Sequence, residues 1–268
     1  MPGGFPIGPE ICNGYAIGTV TTGSTGTTIT PSATDNVKGS YTQLIASVPY
    51  DLSYVMVSIG AQSVTNGCCD IAVGASGSEE VIISNLVIPI NNGYVTNIYS
   101  FPLSIPAGSR VAARAQAVNG NAGSSRVSLV GFGGAYSQWE GAAGVDAIGF
   151  NTSTSLGTAV TPSATANIKG SYIQLTAATN RDYIGIFGVQ GGGSSGFSDW
   201  YMMDIAVGAS GSELAIVPNF WGSSYYYAAS PILFLPIPIP AGTRIAARCQ
   251  CSVASGLAID MTLYGVYL

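Results

Sequence analysis

Residues Asp70–Glu79 read DIAVGASGSE, and the same ten letters return without a change at Asp204–Glu213. Two further blocks recur in the same order around them. ITPSATDNVKGSY at 29–41 returns as VTPSATANIKGSY at 160–172, with ten identities in thirteen positions, and IPAGSRVAARAQ at 105–116 returns as IPAGTRIAARCQ at 239–250. Several blocks that recur in one order indicate that a single folding unit is present twice. We therefore interpret the chain as a tandem duplication.

The repeat boundaries predict four segments. These are an N-terminal arm at 1–17, a first β-sandwich domain at 18–134, a linker at 135–148 and a second β-sandwich domain at 149–268. The arm is rich in proline and glycine, so we expect an extended segment without a core of its own, either disordered or laid on a neighbouring molecule. The linker is short and contains aromatic residues, which favours two domains in contact over two domains that swing freely.

The composition and the turn pattern predict an all-β fold. The chain contains 36 glycines and 14 prolines, and the β-formers between them are typical of short strands joined by tight turns. The DIAVGASGSE block alternates with period two and then breaks at its glycines. Turn signals divide each copy into about eight strands, which is the spacing of a β-sandwich. We expect a jelly-roll path in each domain, with an immunoglobulin-like path as the alternative.

Charged side chains are scarce. They make up 8% of the residues, the formal net charge is −5 and the mean hydropathy is +0.38, whereas an average soluble domain is about 25% charged. We expect part of the apolar surface to be buried between subunits of a homo-oligomer. The eight lysines and arginines form no basic stripe, which disfavours nucleic-acid binding. No window reaches the roughly 18 uninterrupted apolar residues of a membrane span, and the N-terminus lacks a signal-peptide pattern.

The residue types present leave little room for catalysis. Histidine is absent, which excludes Ser-His-Asp and Cys-His mechanisms and histidine-ligated metals. A carboxylate pair of the glycosidase kind remains, with Asp199 and Asp204 or Glu79 and Glu80 as candidates. However, Asp199 and Glu80 lie outside the repeated blocks. We expect no enzyme, no cofactor and no metal site, and we expect the five cysteines to be small buried hydrophobic residues in a reducing compartment.

Charges that both copies share need a structural explanation in a chain this poor in charge. We expect at least one acid to pair with an arginine across neighbouring strands, with bidentate geometry. The alternative is exposed strand-face charges that discourage edge pairing. The residues concerned, besides Lys38 and Lys169, are Asp70, Glu79, Arg110, Arg114, Asp204, Glu213, Arg244 and Arg248.

Aromatic residues distinguish the second copy from the first. Glycine-flanked aromatic side chains on loops can form a sugar-stacking or protein-docking surface, because they offer a large rigid area at small entropic cost. The alternative is that they fill the core or a subunit interface. The candidate recognition residues are Trp200, Tyr201, Phe220, Trp221, Tyr225, Tyr226 and Tyr227.

The paired repeats resemble modules in the structural proteins of tailed-bacteriophage particles, namely head-decoration, tail and fibre-type proteins in which jelly rolls recur. The resemblance rests on DIAVGASGSE and on IPAG(S/T)RxAAR, and it covers both repeats but not the arm. It implies no cofactor and no catalytic residue. It implies an oligomer, often a trimer, that is built in the host cytoplasm beside neighbouring virion proteins. We therefore expect a non-enzymatic virion component, and the alternative is a receptor- or glycan-binding module.

Overall fold

The computed structural model describes residues 13–20, 25–61, 67–88, 96–120, 123–133, 141–190, 199–223, 234–254 and 256–268. These residues form strands, turns and irregular segments and contain no helix, which confirms the all-β prediction. The strands of the first unit are β1 (Asn13–Ile17), β2 (Thr19–Val20), β3 (Thr25–Ile29), β4 (Thr42–Ile45), β5 (Leu52–Ala61), β6 (Gly67–Val73), β7 (Glu80–Ile88), β8 (Thr96–Phe101), β9 (Val111–Ala117) and β10 (Ser125–Gly133).

The second unit repeats this series of strands. They are β11 (Gly144–Ile148), β12 (Phe150–Asn151), β13 (Leu156–Val160), β14 (Ile173–Thr176), β15 (Gly185–Gln190), β16 (Trp200–Val207), β17 (Leu214–Ser223), β18 (Phe234–Leu235), β19 (Ile245–Cys251) and β20 (Ile259–Tyr267).

Each unit has two sheets with the strand order of a jelly roll. In the first unit one sheet runs β3-β10-β5-β8, with β2 beyond β3 and β1 also paired to β10, and the other runs β4-β9-β6-β7. In the second unit β20 pairs with β13 and β15, and β15 pairs with β18, while the other sheet runs β14-β19-β16-β17. From β3 onwards the chain crosses to the other sheet at every connection except β6–β7, and from β13 onwards at every connection except β16–β17, as in a double Greek key. The immunoglobulin-like alternative does not have this order.

The two sheets of a unit pack through apolar residues that alternate along the strands. On β10 the buried positions include Val127 and Leu129, and the intervening side chains are more exposed. Val57 of β5 and Ile71 of β6, which belong to opposite sheets, lie in the same core cluster. Burial of both faces leaves β6 almost without solvent contact, which is why its one charged residue, Asp70, requires partners inside the protein.

The units are joined edge to edge. Strand β7 of the first unit lies parallel to β11 of the second, with Ile83 opposite Val145, so that one ten-stranded sheet crosses both units. Phe187 and Tyr264 of the second unit lie within the core cluster of the first, where the Phe187 ring centroid is 4.9 Å from that of Phe101. A shared sheet and a shared core fix the orientation of one unit on the other.

Two sequence-based boundaries differ from the structure. The last five residues of the expected arm form β1, pair with β10 and bury Ile17 completely. Likewise, Gly144–Ile148 of the expected linker form β11 and pair with β20. Both segments form strands because each supplies an isoleucine to a core and pairs with its sheet in the same register. Residues 1–12 and 134–140 lie outside the described part of the chain.

Candidate functional site

Asp70 on β6 is the centre of a buried ion cluster. The β6–β9 register places it opposite Arg114, whose Nε donates to Oδ2 at 2.9 Å, while Lys38 Nζ donates to Oδ1 at 2.8 Å. The backbone N–H of Asn85 also donates to Oδ1, at 2.9 Å. Asp70 is 3% exposed, and a carboxylate at that depth is stable only when it is paired and hydrogen-bonded.

Lys38 also lies near a thiol. Its Nζ is 3.0 Å from the Cys68 sulfur. Burial would lower the pKa of the Lys38 ammonium, but its interactions with Cys68 and Asp70 outweigh burial and raise that pKa above the ordinary value. Burial in turn raises the pKa of the Cys68 thiol to about 12. Lysine is therefore the charged partner in this contact, and the thiol stays neutral.

A second ion pair closes the turn after β6. Arg110 Nη1 donates to Glu79 Oε1 at 3.0 Å and to the Gly74 carbonyl at 3.1 Å. The Gly77 N–H donates to the other carboxylate oxygen at 2.9 Å. Desolvation raises the pKa of the Glu79 carboxyl, but backbone N–H donors and the Arg110 guanidinium outweigh it and hold the pKa below the ordinary range. Gly74 and Gly77 have φ values of 111° and 89°, which explains the glycines of the repeated motif.

The second unit reproduces these contacts. Asp204 accepts from Arg248 Nε at 2.8 Å and from the Asn219 N–H at 2.8 Å, and it pairs with Lys169. Arg244 Nη1 lies 3.1 Å from Glu213 Oε1 and 2.9 Å from the Gly208 carbonyl. Burial raises the pKa of Asp204, but the Asn219 N–H and the two cations outweigh burial and lower it.

Neighbouring residues that the sequence analysis did not single out complete the clusters. The Arg114 guanidinium lies 4.6 Å from the ring centroid of Tyr41, and that of Arg248 lies 4.5 Å from the centroid of Tyr172. Asn85 and Asn219 adopt positive φ values of 49° and 55°, which aim their N–H groups at the aspartates. Both tyrosines lie in the repeated KGSY segment, so their recurrence in both copies could have identified them as members of the clusters.

The aspartate carboxylates of these clusters are fully engaged by partners inside the protein. Both oxygens of Asp70 and of Asp204 already accept hydrogen bonds from cations or backbone N–H groups. A general acid or base needs a carboxyl that can exchange a proton with the substrate. Among the described residues, no group of three or more histidine, cysteine, aspartate or glutamate side chains could hold a metal ion.

The four aromatic recognition residues that the structure describes do not form one surface. Trp200 and Trp221 stack on each other on adjacent strands, with ring centroids 4.9 Å apart and planes 11° apart, and they are 51% and 59% exposed. Tyr201, by contrast, is 1% exposed and its hydroxyl donates to the Leu257 carbonyl at 2.9 Å. Phe220 is partly buried against the core of the second unit.

Within the described residues, the exposed part of the expected surface is the Trp200–Trp221 pair, with its neighbour Met202 at 41% exposure. Tyr201 was wrongly included, because alternation along β16 turns it into the core. Tyr225, Tyr226 and Tyr227 lie outside the described residues.

The four described cysteines, Cys68, Cys69, Cys249 and Cys251, are buried and free. In the part of the chain that the structure covers, no helix is long and apolar enough to cross a membrane.

The joint between the units has polar contacts of its own. Tyr264 donates its hydroxyl to the Asn85 carbonyl at 3.0 Å and accepts from the Val87 N–H at 2.9 Å. Gln116 Nε2 donates to the Thr152 carbonyl at 2.7 Å and to Ser155 Oγ at 2.8 Å. Gln116 is 2% exposed as a result.

Comparison with known proteins gives distant likenesses of fold. No protein-family model matches the chain, and no curated protein matches it either. Among solved structures, it is similar to PNGF-II in the C2 space group, with 10% identity and a TM-score of 0.34 over 95% of this chain and 65% of that one. It is also similar to a chain of the infectious bursal disease virus Gt strain, with 14% identity and a TM-score of 0.25 over 96% and 72% of the two chains. Both TM-scores are low, and neither likeness bears on the function.

Proposed function

We propose that this chain is a non-enzymatic structural component of a bacteriophage particle, either a capsid decoration protein or a tail- or fibre-associated protein. The observation that carries the proposal is the joint, where two jelly-roll units share one sheet and one core. A rigid pair of sandwiches is a building block, and jelly rolls serve in capsids as well as in lectins. The phage assignment comes from the resemblance of the two repeats, since a fold alone does not define a function.

Two further features support a structural role. The ion clusters occupy the carboxylates of Asp70, Glu79, Asp204 and Glu213 with internal partners, which supports a structural role for these acids. Large apolar side chains remain exposed on both units, among them Ile98 at 52% and Trp221 at 59%. Such surface suits burial against other copies and neighbouring virion proteins. We place the chain in the virion, assembled in the host cytoplasm, and a trimer would present six sandwiches around one axis.

The test is the composition and structure of the particle itself. Particles purified from the phage that encodes this chain should contain it in regular copy number, and a cryo-EM map should show its paired jelly rolls at fixed positions. Particles that lack the chain altogether would contradict the proposal. Release of sugars or acyl groups by the purified chain, in depolymerisation assays, would contradict the non-enzymatic part.

The second candidate function is receptor or glycan binding by the second unit. The stacked Trp200–Trp221 pair favours it, because exposed indole rings can stack against sugar rings. The measurement is a glycan array with the purified chain. A signal that is lost in Trp221→Ala but retained in Leu214→Ala, which changes an exposed residue at the other end of β17, would favour this function over the structural one.

A further inference from the structure

The joint within the chain shows which strand edges of the two units contact each other. The edge of β7 lies beside β11, where Val145 is opposite Ile83 and the Ala147 N–H donates to Ser84 Oγ at 2.9 Å. Ala147 also packs against the core cluster of the first unit. The joint therefore has two sides, the β7 side of the first unit and the β11 side of the second unit.

Both sides of the joint have a repeat counterpart that is unoccupied within the described residues. Strand β17 corresponds to β7 and ends its sheet beyond β16, and β1 corresponds to β11. The register shows the second equivalence, because Ile17 is opposite Leu129 on β10 just as Ile148 is opposite Leu263 on β20. The outer edge of β1 thus corresponds to the edge of β11 that meets β7.

Residues on the unoccupied β17 side are more exposed than their counterparts in the joint. Val87 is partly buried against the second unit, whereas Trp221, at the same repeat position, is 59% exposed. Gln116 is 2% exposed and bonds across the joint, whereas Gln250 lies 3.9 Å from the Met202 sulfur and is only partly buried.

The unoccupied β1 side shows the same contrast. Tyr264 is fully buried in the joint, whereas Val130, at the same repeat position, is 36% exposed. Val145 is 1% exposed, whereas its counterpart Gly14 is exposed. Ala147 is partly buried and Ala16 is exposed.

Neither unoccupied edge carries a charge that would oppose strand addition, and Pro218 is the one protective residue on β17. Proteins commonly place lysine or other charges on exposed edge strands. Strand β17 reads LAIVPNFWGS and β1 reads NGYAI, without a single charged residue. Exposed apolar side chains accompany both edges, namely Trp200, Met202 and Trp221 beside β17 and Tyr54, Ile98 and Val130 on the sheet that contains β1.

We propose that the β17 side of one chain binds the β1 side of a second copy, so that chains join head to tail through a contact that repeats the geometry of their own internal joint. This inference deepens the proposed function, on which it rests, by naming the surfaces through which the building block assembles. Pro218 stands where β7 has Ser84, so the hydroxyl contact to β11 has no equivalent, and burial of Trp221 replaces it. A head-to-tail contact repeats from chain to chain and generates a ring or a filament.

The test is sedimentation velocity of the full chain over a range of concentrations. The wild type should form oligomers, and Trp221→Ser should weaken self-association about tenfold or more, because a buried tryptophan is a typical anchor of an interface. Ala16→Asp should do the same from the other side by placing a carboxylate where Ala147 packs in the joint. Leu214→Ser is the matched control, since Glu80 at its repeat position remains exposed beside the joint. Urea denaturation checks that every variant is folded.

Mixing the two weakened variants separates a head-to-tail contact from a two-fold one. Trp221→Ser keeps an intact β1 side and Ala16→Asp keeps an intact β17 side, so an equimolar mixture should form a dimer and nothing larger. Three outcomes would overturn the proposal. The wild type could stay monomeric up to its solubility limit, Trp221→Ser could associate as the wild type does, or the mixture could stay monomeric. A monomeric wild type that is nevertheless present in purified particles would overturn only this contact and leave the structural role standing.

Discussion

Asp70 and Asp204 show why a protein with so few charges keeps the same ones in both units. Each lies on an inner strand of its sheet, each is less than 5% exposed, and each is surrounded by a lysine, an arginine and a backbone N–H. Removing the acid leaves two partly buried cations facing each other without a counter-charge, which costs more than the ion pair itself contributes. The cluster therefore enforces the register of β6 on β9 and of β16 on β19.

Replacing Asp70 with asparagine should lower the free energy of unfolding by about 3–5 kcal/mol, because it strands Lys38 and Arg114. Urea denaturation monitored by fluorescence measures this loss. The control is Asp51→Asn, whose carboxylate accepts an N–H from Ala107 at an exposed site and should cost about 1 kcal/mol. Equal losses of unfolding free energy in the two variants would show that the buried cluster stabilises the protein no more than the exposed contact does.

Asp260 gives the folded protein a pH dependence of the opposite sign to that of Asp204. Burial raises the pKa of Asp260 to about 6. The folded chain therefore keeps this proton up to about pH 6, whereas the unfolded chain releases it near the ordinary pKa of an aspartate, so stability is lost as the pH rises between these values. Asp260→Asn should stabilise the protein by about 1–2 kcal/mol at pH 7, after allowance for partial exposure, and by almost nothing at pH 4. Thermal unfolding at the two pH values measures the difference, and an equal gain at both would contradict it.

At the scale of strands and turns, some glycines are needed for a positive φ in a turn and others for the close approach of two strands. Gly211 has a φ of 83° with open space around an added Cβ, whereas an added Cβ at Gly157 would lie 2.6 Å from the Met261 nitrogen on β20. Gly211→Ala should cost about 1–2 kcal/mol through backbone strain alone. Gly157→Ala should cost more, since it pushes β13 away from β20. Chemical denaturation of both variants measures the two losses of stability. A larger loss in Gly211→Ala than in Gly157→Ala would show that β20 can move aside.

Strand β17 provides a prediction about assembly. Pro218→Ser restores the residue that the internal joint uses at this position, where Ser84 Oγ accepts the Ala147 N–H. If a second copy docks on β17, the new hydroxyl should strengthen self-association roughly fivefold, as expected from one hydrogen bond of about 1 kcal/mol. Sedimentation equilibrium measures the change. Unchanged or weaker association would mean that β17 does not receive β1 in the way that β7 receives β11.

The sequence predicted the strands of each unit better than it predicted which side chains are exposed and which distant segments pair. The repeated blocks and their turns indicated two jelly rolls, because glycine, proline and period-two alternation are local signals. The same alternation along β16 could have placed Tyr201 in the core with Met203, opposite Trp200. The segment 144–148 resembled a linker because its pairing partner, β20, is more than a hundred residues away. Contacts at that separation leave no mark on the local pattern.

At the scale of the whole molecule, the joint predicts that the two units unfold together. Tyr264→Phe leaves the Asn85 carbonyl and the Val87 N–H without the hydroxyl that serves both, and buried unsatisfied groups cost about 1–3 kcal/mol each. The variant should lose about 2–6 kcal/mol of stability for the two groups together, while keeping a single transition in urea. Tyr54→Phe, at an exposed position of the other unit, should be neutral. Two separate transitions in the wild type would contradict a shared core.

Tyr264 also bears on the order in which the two halves of the chain fold during biosynthesis. Its contacts with Asn85 and Val87 span 179 and 177 positions of the chain, so the first jelly roll leaves the ribosome long before the side chains that close its core. Domains usually fold as they emerge, N-terminal first, but here Tyr99 and Phe101 gain their neighbours Tyr264 and Phe187 only when the later half arrives. A nascent chain that stops before Phe187 and Tyr264 would keep that aromatic face exposed to chaperones and proteases.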